Sequence, residues 1–492
     1  MEQLKSLVRK SKRAGELRKS LENIGSTVHL EQMVGGAYSL YAATTIERMG
    51  GIHILLAEDR DTAAYLLNDL YELLDEERVH FFSSAFKRSA AYGAEDAQGV
   101  VRRTAALNAL ASYSKGYVVV CTYPEALAES VVRSTQLKEH SRKIKVGDKL
   151  QPQEFIEWLQ EHGFERVDFV YEPGQYSQRG GIIDVFSYVE SKPYRIDMFG
   201  DEVDSLRRFD ISSQLSSERP SEVEIIPNIM RKEGEERVSL AEFASGATWW
   251  LSDGDYALRR VADVRKKCLE QASDEEDAKI IASRLTSRQR LLEDWSKSSV
   301  VVLKDNIRER SADTTITFNT QPQPHFNRNF ELLADDILWN MQRGYTTYIL
   351  SHNKAQIERL DNIFHQVGRR SVEFRPADVV LHEGFVDNSL KVCLYPDHQI
   401  FDRYQRYRIR GEIKRDEQMT VAELNQLKVG DYVVHIDHGV GRFGGLVKLN
   451  DNGRVKEAIK LIYKDNDILF VNVHALHRIS RYKSGEGEPP KI

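Results

Sequence analysis

Between Tyr171 and Asp210 the chain reads YEPGQYSQRGGIIDVFSYVESKPYRIDMFGDEVDSLRRFD, and the chemistry that these residue types suit is recognition of another protein. Alternation over Gly181–Phe186 and again over Tyr194–Phe199 predicts strands with one buried and one wet face. On the second run Tyr194, Ile196 and Met198 share a face, which leaves Arg195, Asp197 and Phe199 on the other. A phenylalanine beside an arginine on a solvated face has the make-up of a binding anchor, because aromatics and Arg carry most interface hot spots. The same alternation allows Phe199 to lie under a helix, with Arg195 and Asp197 merely paired at the surface.

A second place to look for chemistry is the loop Val34–Tyr41, VGGAYSLY, which follows the first strand-like segment. A phosphate loop needs GxxxxGK[ST], because the lysine reaches the β and γ phosphates and the hydroxyl holds magnesium. Both are missing here, so Gly35 and Gly36 are expected to shape a turn before a helix and nothing more. His352, His365, His382 and His398 are scattered without a ligand repeat such as HxxxH. His435, Asp437 and His438 are close in sequence, but neighbours on a strand point to opposite faces and do not easily converge on one ion. No metal site, catalytic residue or cofactor is therefore assigned to this chain.

The elements that must position these residues follow from periodicity. Gly51–Ala57 and Tyr117–Cys121 read as buried strands, Val79–Phe82 as another, with helices over Asp59–Leu74 and Arg102–Ser114 between them. Such alternation predicts an α/β domain with a largely parallel sheet. From about residue 141 the pattern becomes a polar helix, Gln153–His162, followed by the strand-rich stretch ending near Ile226. The α/β character then resumes with Thr248–Leu251, a long charged helical stretch Asp255–Trp295 and a strand Ser299–Leu303. The strand-rich part is thus expected as an insertion, which costs little loop entropy. Trp249 and Trp250 are expected in the core. A polar connection, Glu309–Asn327, leads to a small α/β domain with a strand Thr346–Leu350, a helix Asn353–Val367 and a final strand within Leu381–Tyr395. Phe401–Arg415 is basic with interleaved tyrosines, which suits either nucleic-acid contact or, more simply, a solvated linker, free or ordered against a neighbouring domain. In the last part, VGDYVVHIDHGVGRFGGLVKL, a turn at Asp451–Gly453 and runs Val455–Tyr463 and Ile468–Val473 predict five short strands in a small closed barrel.

Composition bounds the reading. At 492 residues several domains are expected. Sixty-nine Lys and Arg against 75 Asp and Glu give a net charge of −6, so the whole chain is not a basic nucleic-acid coat. Cys121, Cys268 and Cys393 lie far apart without a CxxC pair, which excludes a zinc ribbon and points to a reducing compartment. The N-terminal MEQLKSLVRKSKRAGELRKS is basic and lacks the apolar core of a signal peptide, and no run is long enough to span a membrane. A cytoplasmic protein without a membrane partner is expected.

Two stretches carry a family resemblance. RGGIIDVF followed by PYRIDMFGDEVDSLRRFD resembles the domain shared by the excision helicase UvrB and the transcription-repair coupling factors. VVHIDHGVGRFGG resembles the polymerase-interacting domain shared by the coupling factors and the CarD-type regulators. UvrB has the first without the second and CarD-type proteins the second without the first, so their succession is similar to the coupling factors alone. The resemblance implies a fold and a division of the chain. Residues 1–140 and 227–315 would form a degenerate P-loop-like α/β domain that has lost its nucleotide site. Residues 141–226 would be an inserted UvrB-like α+β domain, 316–398 a small α/β domain of unknown role, 399–424 a basic linker, and 425–485 a CarD-like β-barrel. It implies binding of UvrA through Arg179, Arg195 and Phe199. It implies binding of the RNA polymerase β subunit through Leu446, Val447, Lys448 and Leu449, on a strand exposed enough to extend a partner's sheet. The family's motor, with its ATP, magnesium and DNA contacts, is expected beyond Pro490, where this chain reaches Ile492. The function implied is a non-catalytic adaptor; the alternative is a residual nucleotide-dependent DNA-binding or DNA-melting enzyme of the UvrB type.

Overall fold

The computed structural model describes residues 2–86, 95–211, 214–230, 236–304, 311–366, 371–403, 405, 407–409, 424, 427–435, 439–451, 454–463, 467–472 and 479–481. They fall into two compact units, residues 1–211 with 215–412, and residues 212–214 with 413–492.

The larger unit is built on a seven-stranded sheet in the order Thr314–Thr317, Thr27–Glu31, Ser299–Lys304, Thr248–Asp253, Gly51–Leu56, Tyr117–Thr122, Val79–Phe81. Every neighbouring pair in it is parallel. Parallel strands inside a sheet are covered on both faces, which is why Tyr117–Thr122 and Ser299–Lys304 carry continuous apolar runs without alternation. Trp249 and Trp250 are fully buried in this sheet. The Trp250 indole donates to His53 Nδ1 at 3.2 Å, and burial lowers the His53 pKa to about 4, so the ring stays a neutral acceptor. The helix Gly36–Met49 is buried almost from end to end beside the sheet.

Two expectations for this unit are corrected. The charged stretch Asp255–Trp295 is three helices, Gly254–Leu269, Glu275–Ser283 and Arg288–Trp295, because Asp274 and Ser287 cap new helix starts with their side chains. The polar connection Glu309–Asn327 is not a linker: it holds the strands Thr314–Thr317 and Thr320–Pro322. Ile316 and Phe318 are buried, whereas Thr315 is exposed and Thr317 half-buried, as an edge strand allows. A division between residues 315 and 316 therefore falls inside a strand.

Between Tyr117–Thr122 and Thr248–Asp253 the chain forms a second sheet, of six strands: Ser216–Glu218, Glu202–Phe209, Tyr194–Phe199, Ile182–Val185, Gln175–Arg179, Glu165–Arg166. Its inner face, with Tyr176, Ile183, Val185, Tyr194, Ile196, Val203 and Leu206, shares a core with Phe155, Ile156 and Leu159 of the helix Pro152–Glu161. A third sheet orders Thr320–Pro322, Phe385–Asp387, Val392–Pro396, Thr346–Leu350 and Arg375–Ala377. The helices Phe330–Gln342 and Lys354–Gln366 pack on it through Leu333, Ile337, Leu360 and Phe364.

The smaller unit contains five antiparallel strands in the order Ile468–Asn472, Arg454–Ile462, Gly439–Asp451, Tyr432–His435, Ile479–Arg481. Val433, Phe443, Ile459, Leu461, Val471 and Ile479 form its core. Among the described residues no pairing joins the first strand of this order to the last. Asp437, His438 and most of the turn Asp451–Gly453 lie outside the described residues. No described helix is long and apolar enough to cross a membrane, and no described group of His, Cys, Asp and Glu is arranged to hold a metal ion.

Candidate protein-binding faces

The outer face of the six-stranded sheet gathers the polar residues of its alternating strands. Tyr194 and Ile196 point into the core, so Arg195 and Asp197 point out. Arg195 lies opposite Asp184 on one side and Arg207 on the other. Its guanidinium grips Asp184 with both forks, Nε to Oδ1 at 2.7 Å and Nη2 to Oδ2 at 2.8 Å. The Arg179 guanidinium donates to the same carboxylate from the strand on the other side. Arg207 pairs in the same two-pronged way with Asp197, which also accepts from Ser205 at 2.6 Å. Bidentate arginine–carboxylate pairs are the strongest and most directional of their kind. The hydrogen bond to Asp184 raises the Arg195 pKa further, so it stays charged at any working pH.

The register shifts between Asp197 and Met198, and the strand ends in a turn through Gly200. Phe199 stands there at 83 % exposure, so it does not lie under a helix. The three residues singled out from the sequence are thus on one face but in different states. Phe199 is bare, the Arg179 side chain is 37 % exposed, and that of Arg195 is 14 % exposed. Sequence reasoning passed over Asp184, Phe169, Phe209 and Arg207, although an acid between Ile183 and Val185 on an apolar strand was a visible signal. Arg179 lies over the Phe169 ring at 4.7 Å, and an open cleft of about 470 Å³ between Phe169, Arg166 and Gln178 adjoins it.

The Gly35–Gly36 turn has the opposite character. Gly36 begins the helix Gly36–Met49, and its N–H donates to the carbonyl of Glu383 at 3.0 Å. That is where a bound anion would meet the positive end of the helix, and here the chain's own backbone fills it. A Cβ on Gly36 would come within 2.6 Å of the Glu383 carbonyl, and one on Gly35 within 2.9 Å of the Gly384 carbonyl. Around this contact Tyr41 donates to Asp387 at 2.9 Å, Ser39 to Asp69 at 2.7 Å, and the His382 N–H to Asp69 at 2.6 Å. Burial above all, with Glu383 and Glu72 nearby, pushes the Asp69 carboxyl up to about 7.

The described part of the basic run is tied to the helix Arg60–Leu73. Asn68 pairs through both amide atoms with the Arg408 backbone, at 2.7 and 2.8 Å, and Tyr407 donates to Asp61 at 2.9 Å. Arg408 itself pairs with Glu76 at 3.0 Å. Residues 407 and 408 are thus held against that helix; residues 404, 406 and 410–415 of the run lie outside the described part.

In the smaller unit Leu446 is 46 % exposed and Val447 half-buried. Leu446, Val447, Lys448 and Leu449 pair with Ile459, Ala458, Glu457 and Lys456. The side chains of Lys448 and Leu449 lie outside the described part. On the other side the pairing with Tyr432–His435 ends at Arg442, so among the described residues the Leu446–Leu449 backbone has an open edge. Gly445, at φ 98°, lies where the register with Arg454–Ile462 shifts.

Comparison with known proteins finds two domain families in the chain. The UvrB interaction domain matches residues 143–230, and the CarD-like/TRCF RID domain matches residues 427–483. The chain is 22 % identical over 94 % of its length to the transcription-repair-coupling factor of Bacillus subtilis, covering 46 % of that protein. It is 21 % identical over 89 % of its length to those of Staphylococcus haemolyticus and Staphylococcus aureus, covering 44 % of each. The chain spans about half the length of the curated relatives it matches.

Proposed function

We propose that this chain is an adaptor of transcription-coupled DNA repair that tethers RNA polymerase to UvrA and catalyses nothing itself. The observation that carries the reading is the succession of a UvrB interaction domain and a CarD-like domain within one chain similar along nearly its whole length to transcription-repair-coupling factors. The outer face of the six-stranded sheet, with Arg179, Arg195 and Phe199, is the proposed UvrA dock. The open edge at Leu446, Val447, Lys448 and Leu449 is the proposed dock for the RNA polymerase β subunit, where main-chain hydrogen bonds extend the partner's sheet. The five strands of the smaller unit are read as a barrel, and the seven-stranded sheet as a motor-type domain converted to scaffold. ATP and magnesium have no part in this scaffold, because Glu383 and Gly384 occupy the turn that would hold phosphate. No observation favours the nucleotide-dependent enzyme.

The experiment is a bridging assay. Immobilised RNA polymerase should retain UvrA only when the chain is present, and Leu449→Arg should abolish capture by polymerase while leaving UvrA binding intact. Retention of UvrA without the chain, or failure of the intact chain to bind either partner, removes the adaptor reading.

A further inference from the structure

Asp184 is 1 % exposed and sits between two core residues, Ile183 and Val185. A carboxylate taken out of water at such a position is tolerated only when paired and hydrogen-bonded. It is paired twice, and its two partners come from the strands on either side of it. Arg195 approaches from Tyr194–Phe199 with two forks, and Arg179 from Gln175–Arg179 with one. Each guanidinium is backed by a ring, Arg195 by Phe209 at 4.4 Å and Arg179 by Phe169 at 4.7 Å. Three groups therefore form one rigid cluster across three strands. Only Arg179 leaves a large part of its side chain to solvent, at the mouth of the cleft by Phe169.

We propose that Asp184 is the positioning residue of this docking face: it holds Arg179 in its binding geometry at the surface, with Arg195 locked behind it. The proposal rests on the reading that this face docks UvrA. A long arginine that is free in solution loses rotamer freedom when it binds; one gripped by a buried carboxylate and a ring has already lost it on folding. Asp184 thus contributes to affinity without touching the partner. This also accounts for a charged residue on an otherwise apolar stretch of strand, which core packing does not require.

The test is a double-mutant cycle on the full chain, read by calorimetric titration with UvrA. Asp184→Asn keeps the volume and removes the charge that holds both arginines. It should weaken UvrA binding about tenfold or more while the chain remains folded by circular dichroism. Arg179→Gln should weaken binding in the wild type and cost much less in the Asp184→Asn background, since the side chain it removes is no longer held there. Wild-type affinity of Asp184→Asn, or an Arg179→Gln loss of the same size in both backgrounds, overturns the proposal. Should Asp184→Asn not fold, the unsubstituted chain decides the question. Nitrogen-15 spectra of its arginine side chains should show slow rotation of the Arg179 guanidinium, and free rotation refutes it. Phe199→Ala is the control for the underlying reading. If it binds as the wild type does, the docking face itself is wrong and the proposal falls with it; if it weakens binding while Asp184→Asn does not, only the proposal falls.

Discussion

Gly180–Gly181 and Gly35–Gly36 are the same dipeptide, the first glycine of each having a positive φ, 61° and 55°. One stands beside the proposed dock and the other begins a helix, and they differ in what the distant chain brings to them. A Cβ added at Gly180 meets no atom within 4 Å, and one at Gly181 meets only the Met198 carbonyl of the adjoining strand at 2.9 Å, whereas Gly35 and Gly36 face the distant carbonyls of Gly384 and Glu383. Near the first place Arg179 and Arg195 satisfy Asp184, and Phe199 stands exposed on the same face. The second is filled from far along the chain and has become a joint between two sheets. A proposed dock and a turn filled from within thus share a local motif, and are told apart by what the distant chain brings to them.

The strongest way to break this contrast is to add a side chain at each turn. Gly36→Val drives a branched side chain against backbone on the Glu383 side, where only 2.6 Å is available, and displaces the 3.0 Å hydrogen bond to Glu383. We expect a loss of about 4 kcal/mol in denaturant unfolding of the larger unit. Gly180→Ala meets no atom and suffers only from its left-handed backbone, so about 1 kcal/mol is expected. Equal losses at the two positions would mean that the joint is not packed as described.

The joint should also be sensitive to pH, because Asp69 lies in it, buried and accepting from Ser39 and His382. Its pKa is raised from an ordinary 3.8 to about 7 in the folded chain. Below about pH 4 both folded and unfolded states carry the proton, and the group contributes nothing. Between about pH 4 and pH 7 the unfolded chain releases the proton while the folded chain keeps it, so stability falls as pH rises. Above about pH 7 both are ionised and the penalty stays constant, on the order of 4 kcal/mol. Asp69→Asn cannot ionise, so its melting temperature should lack this decline. An unchanged pH profile in the variant would show that another group carries the effect.

What the sequence makes legible, and what it hides, follows the same line. The continuous apolar runs at Gly51–Leu56 and Tyr117–Thr122 and the alternation at Tyr194–Phe199 are local signals, and the strands lie where those signals put them. The edge strands Thr314–Thr317 and Thr320–Pro322 are short, threonine-rich and half solvated, so nothing in their composition separates them from a linker. The segment Gly384–Asp387 has no recognisable chemistry of its own. Its role is fixed by Gly36 and by Tyr41, whose hydroxyl bonds Asp387 from 346 residues away. On the proposed docking face Phe199 and the arginines are visible as residue types. That one buried carboxylate holds both arginines was not, because alternation gives faces but leaves partners on neighbouring strands unspecified.

The smallest effect sharpens the other side of the comparison. Phe199 is 83 % exposed at the end of its strand, and no described core cluster includes it. Phe199→Ala should therefore leave the melting temperature and denaturant midpoint of the chain unchanged. If the face docks UvrA, the same substitution removes an anchor that becomes desolvated in the complex, and should weaken binding by about 2 kcal/mol, roughly thirtyfold. Added salt should not abolish this loss, because the contribution is apolar, whereas any exposed charge on the rim is screened within about 10 Å at 0.1 M salt. The pattern is the inverse of Gly36→Val, which should cost stability and leave UvrA binding intact wherever the chain remains folded. A Phe199→Ala chain that melts early would place this residue in the fold and remove the distinction between the open site and the filled one.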